Sequence, residues 1–329
     1  MFSFKTLATI VLPSLVAASC MHGTSHMKRQ LTSSNTVAIS NFGYSGLQGP
    51  LNWAGLSLAN SACATSAVQS PINIDSTIGL AEVKPVFEAP DVEEAEIENL
   101  GTTVEVVMEG LGAKTTVGDV EFEVKQFHFH TPSEHRIAEE YSVMEMHIVH
   151  EGPNGELAVI AVPFDFVDDG SSTTSLLTSV FENLADVTVP GSVSKTGALS
   201  FSEVVSHLES SDIFQYTGSL TTPPCAEGLT FFVAKEPMPI DVQTFSAVKK
   251  VIKFNARFTQ NTLGNFNLLT VASSVDKFLV QNPVAAVAKK EGDEIVVDKE
   301  ENVEGEGEVV EDNNRREQRR RRRRRGWSS

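Results

Sequence analysis

The chain carries no N-x-Ser/Thr sequon, no internal repeat and no apolar run long enough to span a bilayer comfortably. N-linked glycosylation and a transmembrane segment are therefore not expected. Positive charge is also short. Lys and Arg number 26 against 43 Asp and Glu, a net charge of −17, which argues against a nucleic-acid partner for the body of the chain. Cysteine is scarce, with Cys20, Cys63 and Cys225 the only three.

What is there begins with a leader. One positive charge at Lys5 precedes an apolar run from Leu7 to Val16, and small residues Ala17-Ala18-Ser19 follow. That pattern predicts a secretory signal peptide over 1–19. Lys28-Arg29 is a dibasic pair in a polar stretch, so a propeptide over 20–29 and a mature start near Gln30 are expected. Loss of the leader leaves Cys63 and Cys225, and two lone cysteines in an oxidising compartment are read as a disulfide. The expected location is secreted, extracellular or in a cell wall.

The remainder divides at the end of one globular unit, 30–275. Beyond it, 276–329 is acidic from Glu291 to Asp312 and then runs through seven unbroken arginines, Arg319 to Arg325. Blocks of one charge sign repel and stay solvated, so the expectation is a largely disordered tail rather than an electrostatic tether.

Within the unit, strand signals dominate. Thr102 to Met108, Val120 to Thr131, Met144 to His150, Leu157 to Val162 and Leu229 to Val233 have strand length and composition. Helical patterning is shorter: Leu176 to Leu184, Phe201 to Leu208, and Asp241 to Phe254 with Asp241 as N-cap. Asp276 to Asn282 reads as a short helix or extension ended by Pro283. Many strands with few short helices predict a mainly β, α+β domain built on one large sheet.

Of eight histidines, five lie between 128 and 150. On a strand, residues i and i+2 share a face, roughly 6.6–6.8 Å apart. His128 and His130 can therefore lean onto one metal ion, with Phe122, Val124 and Gln126 expected on the same face. A turn could return His147 beside them. Three neutral imidazoles with one open position make a catalytic zinc arrangement. Gln126 and Glu145, each two residues before a ligand, are placed to fix the rings. His150 should face away from His147, and His135 and His150 read as structural or surface residues. His128-x-His130-x-x-x-Glu134 also resembles the first metal motif of cupins, which would make Glu134 a ligand and the protein an oxygenase.

The flanking motifs separate these readings. Tyr44 with Gly49-Pro50-Leu51-Asn52-Trp53, then Gln69-Ser70-Pro71-Ile72-Asn73-Ile74, closely resemble the α-class carbonic anhydrases. So do Gln126 to His130, Ser133-Glu134-His135, Glu145-Met146-His147, Tyr216 to Cys225, Lys235-Glu236-Pro237 and Asn255-Ala256-Arg257. The resemblance covers about 42–270 and is to secreted, eukaryotic members of fungal type. It implies a single domain around a ten-stranded, mostly antiparallel twisted sheet with short peripheral helices. It implies Zn2+ on His128, His130 and His147, with Gln126 and Glu145 orienting two of them. Thr221 would donate to Glu134 and accept from a zinc-bound hydroxide that attacks CO2 to give bicarbonate. Thr222 and the Thr221 N–H would meet bicarbonate or anionic and sulfonamide-type inhibitors. Val149, Val159 and Leu220 would form the apolar wall for CO2. The Cys63–Cys225 pairing is that of secreted members.

Two departures stand out. Asn99-Leu100-Gly101-Thr102 puts Thr102 where the family's Asn-x-Gly-His motif has its proton-shuttling histidine, with Tyr44 the other residue matched to the proton path. Threonine does not titrate near pH 7, so proton release is expected to be slow and buffer-dependent. Phe231 replaces a tryptophan near the apolar wall. A non-catalytic adhesion or zinc-binding module on the same fold is the competing class, but the complete ligand set, Thr221 and Glu134 favour the enzyme.

Overall fold

The structure is a computed structural model. It describes residues 21–29, 31, 36–166, 173–281, 288–291 and 294–297, with side chains up to 274. The leader, the acidic run beyond 297 and the arginine run lie outside the described residues. The chain forms two compact units, Met1–Ser274 and Val275–Ser329. In the second, Ala288–Glu291 pairs antiparallel with Glu294–Val297. Among the described residues no helix is long and apolar enough to cross a membrane.

The first unit is built on an 11-stranded sheet. Its main path runs Val193–Lys195, Glu96–Asn99, Val104–Val107, Val120–His130, Met144–Glu151, Leu157–Asp165, Glu227–Ala234, Ile213–Ser219. Lys114–Val117, Val86–Glu88 and Met238–Pro239 pair off this path. Pairing is antiparallel except where Leu157–Asp165 meets Glu227–Ala234 and Met238–Pro239. The expected architecture is present, with eleven strands in place of ten. The extra count comes from short pairings at the margins, which a sequence pattern does not resolve.

Both faces of the central strands are buried. All eight residues of Met144–Glu151 are buried, so one face holds an apolar core and the other must hold something else. The core face packs Phe127, Phe129, Met144, Met146 and Ile148 against three short helices. Helix Ser175–Val180 contributes Leu176, Leu177 and Val180. Helix Ser202–Ser210 adds Val204 and Leu208, and Val242–Ile252 adds Val248 and Ile252. The last helix starts as its sequence dictates: the Asp241 carboxylate accepts from Gln243 N at 2.7 Å and Thr244 N at 2.9 Å, satisfying backbone donors that lack helical partners.

One expectation about the histidine strand is overturned. Val124 pairs with His150 but Gln126 pairs with Val149, so Lys125 is an extra residue in a β-bulge. A bulge shifts the alternation by one. Phe122 and Val124 therefore join Phe127 and Phe129 in the core, while Gln126 shares the opposite face with His128 and His130. Lys125, itself buried, reaches Glu109, Glu123 and Glu151. Without the bulge one half of the strand would be inside out, and each displaced core side chain would cost about 1.5–3 kcal/mol.

Candidate metal centre and catalytic cavity

Register sets the site. Glu98 pairs with Glu105, Glu105 with His128, His128 with His147, and His147 with Ala161. Directly paired residues point to the same face, so these side chains form one row across the sheet. A second row places Gln126, Val149, Val159 and Phe231 side by side. The first row is polar at its Glu98 end; the second ends in apolar wall.

The three predicted ligands converge. Ring centroids are 5.1 Å apart for His128–His130, 5.4 Å for His128–His147 and 4.6 Å for His130–His147. One nitrogen from each lies within 4.8 Å of the other two. Each ring is held through its far nitrogen. His128 Nδ1 is 2.8 Å from Gln126 Oε1, His130 Nδ1 is 2.8 Å from the Asn255 carbonyl, and His147 Nε2 is 2.5 Å from Glu145 Oε1. A carbonyl and a carboxylate only accept, so His130 Nδ1 and His147 Nε2 carry the protons, and the opposite nitrogens keep their lone pairs. Burial, with the neighbouring imidazoles, holds His128 well below the ordinary histidine pKa, and burial also lowers His130. Neutral, converging imidazoles fit a zinc ion, and His130 Nε2 is buried with no hydrogen-bond partner in the protein.

Gln126 and Glu145 each lie against one ring, and Asn255, which the sequence did not point to, lies against the third. It acts through a backbone carbonyl, which has no residue signature; its only trace is the Asn255-Ala256-Arg257 motif. Of the two readings offered for His135, structural or surface, the structural one holds. His135 is buried, donates Nδ1–H to Glu145 Oε1 at 2.7 Å and N–H to Oε2 at 3.0 Å, and its Nε2 lies 2.7 Å from the Tyr216 hydroxyl. His150 faces away as expected, its Nε2 2.8 Å from Thr115 Oγ1 in the core.

Glu134 is buried, and Oε1 accepts from the Arg257 N–H at 2.8 Å. Oε2 is buried without a hydrogen-bond partner in the protein. Glu134 is not in the metal-ligating group of His128, His130 and His147, so the cupin arrangement does not form. Thr221 and Thr222 are both inaccessible. Val149, Val159, Leu220 and Phe231 pack into one buried cluster. Arg257 was overlooked as an anchor: fully buried, it binds Ser70 O at 2.7 Å, Gln69 Oε1 at 2.9 Å and Cys63 O at 3.2 Å. Burial lowers its pKa to about 10.

Thr102 follows a turn in which Gly101, at φ +79°, donates to Asn99 Oδ1 at 2.8 Å. That left-handed conformation suits glycine. The Thr102 hydroxyl lies 2.9 Å from Ser40 Oγ, and its carbonyl accepts from Asn255 Nδ2 at 3.0 Å. Tyr44 packs edge-on against Phe42 and Trp53, beside the cluster that contains the disulfide. Cys63 and Cys225 are bonded, 162 residues apart in sequence.

The profile of the eukaryotic-type carbonic anhydrase family matches residues 48–267. A carbonic anhydrase of Klebsiella pneumoniae is 33% identical over 208 residues, 62% of this chain and 80% of that one. Among solved structures, the fungal α carbonic anhydrase from Aspergillus oryzae is 42% identical with a TM-score of 0.68, covering 70% of this chain and 98% of that one. The α-carbonic anhydrase from Thermovibrio ammonificans, solved with the inhibitor sulfanilamide, is 34% identical with a TM-score of 0.61, covering 69% and 98%. Fold, site and sequence thus agree, and the chain belongs to the eukaryotic-type carbonic anhydrases, carbon–oxygen lyases of the α class.

Proposed function

We propose that this protein catalyses zinc-dependent, reversible hydration of CO2 to bicarbonate and a proton, with His128, His130 and His147 as the metal ligands. The observation that carries this reading is the convergence of three buried imidazoles, each fixed through its other nitrogen. A zinc ion held there supplies hydroxide near neutral pH by acidifying a water, an effect for which carbonic anhydrase is itself the standard instance.

The chain does the orienting. Glu134, when ionised, only accepts, so the Thr221 hydroxyl directs its proton to that carboxylate and keeps its oxygen as an acceptor for the attacking group. Val149, Val159 and Leu220 present CO2 with an apolar surface that excludes water. The Thr221 N–H and Thr222 hydroxyl receive bicarbonate, anions or a sulfonamide. Thr102 offers no titratable group, so the released proton leaves through buffer. The Cys63–Cys225 disulfide supports a secreted protein that loses 1–19 and then 20–29.

Stopped-flow CO2 hydration with and without a zinc chelator is the test. Activity well above the chelated control is expected. Activity no higher than that control would leave only a non-catalytic binding module.

A further inference from the structure

The segment assigned above to a propeptide does not hang free. Met21–Arg29 folds into a closed turn, with Gly23 N donating to Met27 O at 3.0 Å, Met27 N to Thr24 O at 3.1 Å, and Thr24 Oγ1 to Met21 O at 2.7 Å. His22, Thr24 and Met27 are buried.

Its contacts fall on both side-chain rows that flank the three histidines. His22 Nδ1 is 2.6 Å from Glu105 Oε1 and 3.9 Å from Glu98 Oε2. Glu105 is the direct cross-strand neighbour of His128, and such neighbours have Cα atoms about 4.5–5.5 Å apart. The His22 ring therefore sits one strand from the metal ligands. On the other side, Met21 packs against the cluster of Val149, Val159, Leu220 and Phe231. Three further grips lie outside this line. Ser25 N donates to Glu151 at 3.0 Å, His26 Nε2 lies 2.6 Å from Gly155 O, and the Arg29 guanidinium pairs with Glu96 and Glu98.

The charge arrangement explains the grip. Glu98 and Glu105 are buried side by side in one row; burial, and for Glu98 also the neighbouring carboxylate, push both toward the neutral form, which a facing cation opposes. Among the described residues, the cationic groups that contact the pair are His22 and Arg29. Both belong to this segment, and Arg29 is the second residue of the dibasic pair. Glu98 and Glu105 thus make a buried carboxylate subsite beside the histidine row, filled by the His22 imidazole and the Arg29 guanidinium.

We propose that Met21–Arg29 is an intramolecular occupant of the catalytic cavity, held by the Glu98/Glu105 subsite, and that cleavage after Arg29 opens the cavity. The proposal rests on the zinc-site reading above. The segment bridges the polar and apolar walls, so CO2 and inhibitors reach the histidines only in the fraction of molecules from which it has lifted. Cleavage severs His22 and Arg29 from the domain together.

The test compares zinc-loaded chain carrying Met21–Arg29 before and after a dibasic-directed endoprotease, with intact mass confirming the cut. Cleavage should raise kcat/KM for CO2 and the association rate of a fluorescent sulfonamide together, by about tenfold or more, since both scale with the open fraction. In the uncut chain, His22→Ala should give part of that rise. The free peptide spanning residues 21–29 should slow sulfonamide binding to the cut chain. Equal sulfonamide rates before and after the cut would overturn the proposal. So would a fall in kcat on cleavage, which would make His22 a proton carrier. Should the zinc reading itself fail, neither form would hydrate CO2 or bind the sulfonamide, and cleavage kinetics still decide. Glu98→Gln with Glu105→Gln should release Arg29 and speed cutting several-fold; an unchanged cutting rate would refute the held segment.

Discussion

Glu145 Oε1 stands 2.5 Å from His147 Nε2 while the same oxygen receives His135 Nδ1–H at 2.7 Å. Burial alone would raise the Glu145 pKa, but His135 and His147 outweigh it and the carboxyl lies below its ordinary range. A charged acceptor behind His147 makes that imidazole a better metal ligand. Glu145→Gln keeps the shape and loses the charge. Zinc affinity should fall about 10–100-fold, as for other groups that orient a metal-bound histidine. Competition with a chromophoric chelator measures this; an unchanged dissociation constant would remove Glu145 from the site.

Thr221 and Glu134 are expected to act as a unit. Thr221→Ala should lower kcat/KM by about 10²–10³-fold, the range for losing one preorganised hydrogen-bonding group. Zinc content should not change. Thr221→Ser, which restores the hydroxyl, should recover most of the loss. Glu134→Gln should resemble the alanine variant, because an amide can donate and no longer forces the threonine proton toward itself. A serine variant as poor as alanine would show that the methyl group, not the hydroxyl, matters.

How far the sequence reached depended on the kind of signal. The strands carried periodic side chains, so the juxtaposition of His128, His130 and His147 was legible, as was the Asp241 cap. The bulge at Lys125 was not, because an added residue looks like ordinary strand until its partner register is known. Asn255 was invisible as an orienting group because a backbone carbonyl serves in it. The packing of Met21–Arg29 was missed because it is polar, glycine-containing and dibasic, the composition of a linker. Its partner Glu105 lies 83 residues away. In each case the missing information was a long-range pairing rather than a local preference.

Proton exit offers a separate test. Thr102 is bonded to Ser40 and, through its carbonyl, to Asn255, which also supports His130. An imidazole at this position would give a titratable carrier one residue from Thr103, whose hydroxyl bonds the Phe129 carbonyl between His128 and His130. In dilute buffer Thr102→His should raise the maximal rate about tenfold or more while leaving kcat/KM near its original value. High concentrations of imidazole buffer should lift the parent enzyme toward the same rate. No change in the maximal rate at low buffer would mean that proton release is not limiting or that another group carries the proton.

Acid stability should report on His150, on the core face of the strand that carries His147. Burial lowers its pKa to about 4 from the ordinary histidine value of 6.5, and its ring lies edge-on to Phe87 with Nε2 near Thr115. A depressed folded pKa means that the unfolded chain binds this proton first. The stabilisation is complete above about pH 6.5 and is lost as pH falls from there through about 4. At pH near 4.5 this one group should account for about 2–3 kcal/mol of lost stability. Denaturant titrations with zinc removed from both proteins would isolate it from the metal ligands. His150→Gln should be less stable than the parent at pH 7, through imperfect packing and a changed partner for Thr115. Its decline between pH 6.5 and 4.5 should be shallower, corresponding to about one fewer proton taken up on unfolding. Parallel declines in the two proteins would show that His150 is protonated without cost in the fold, and that its burial does not control the acid limb.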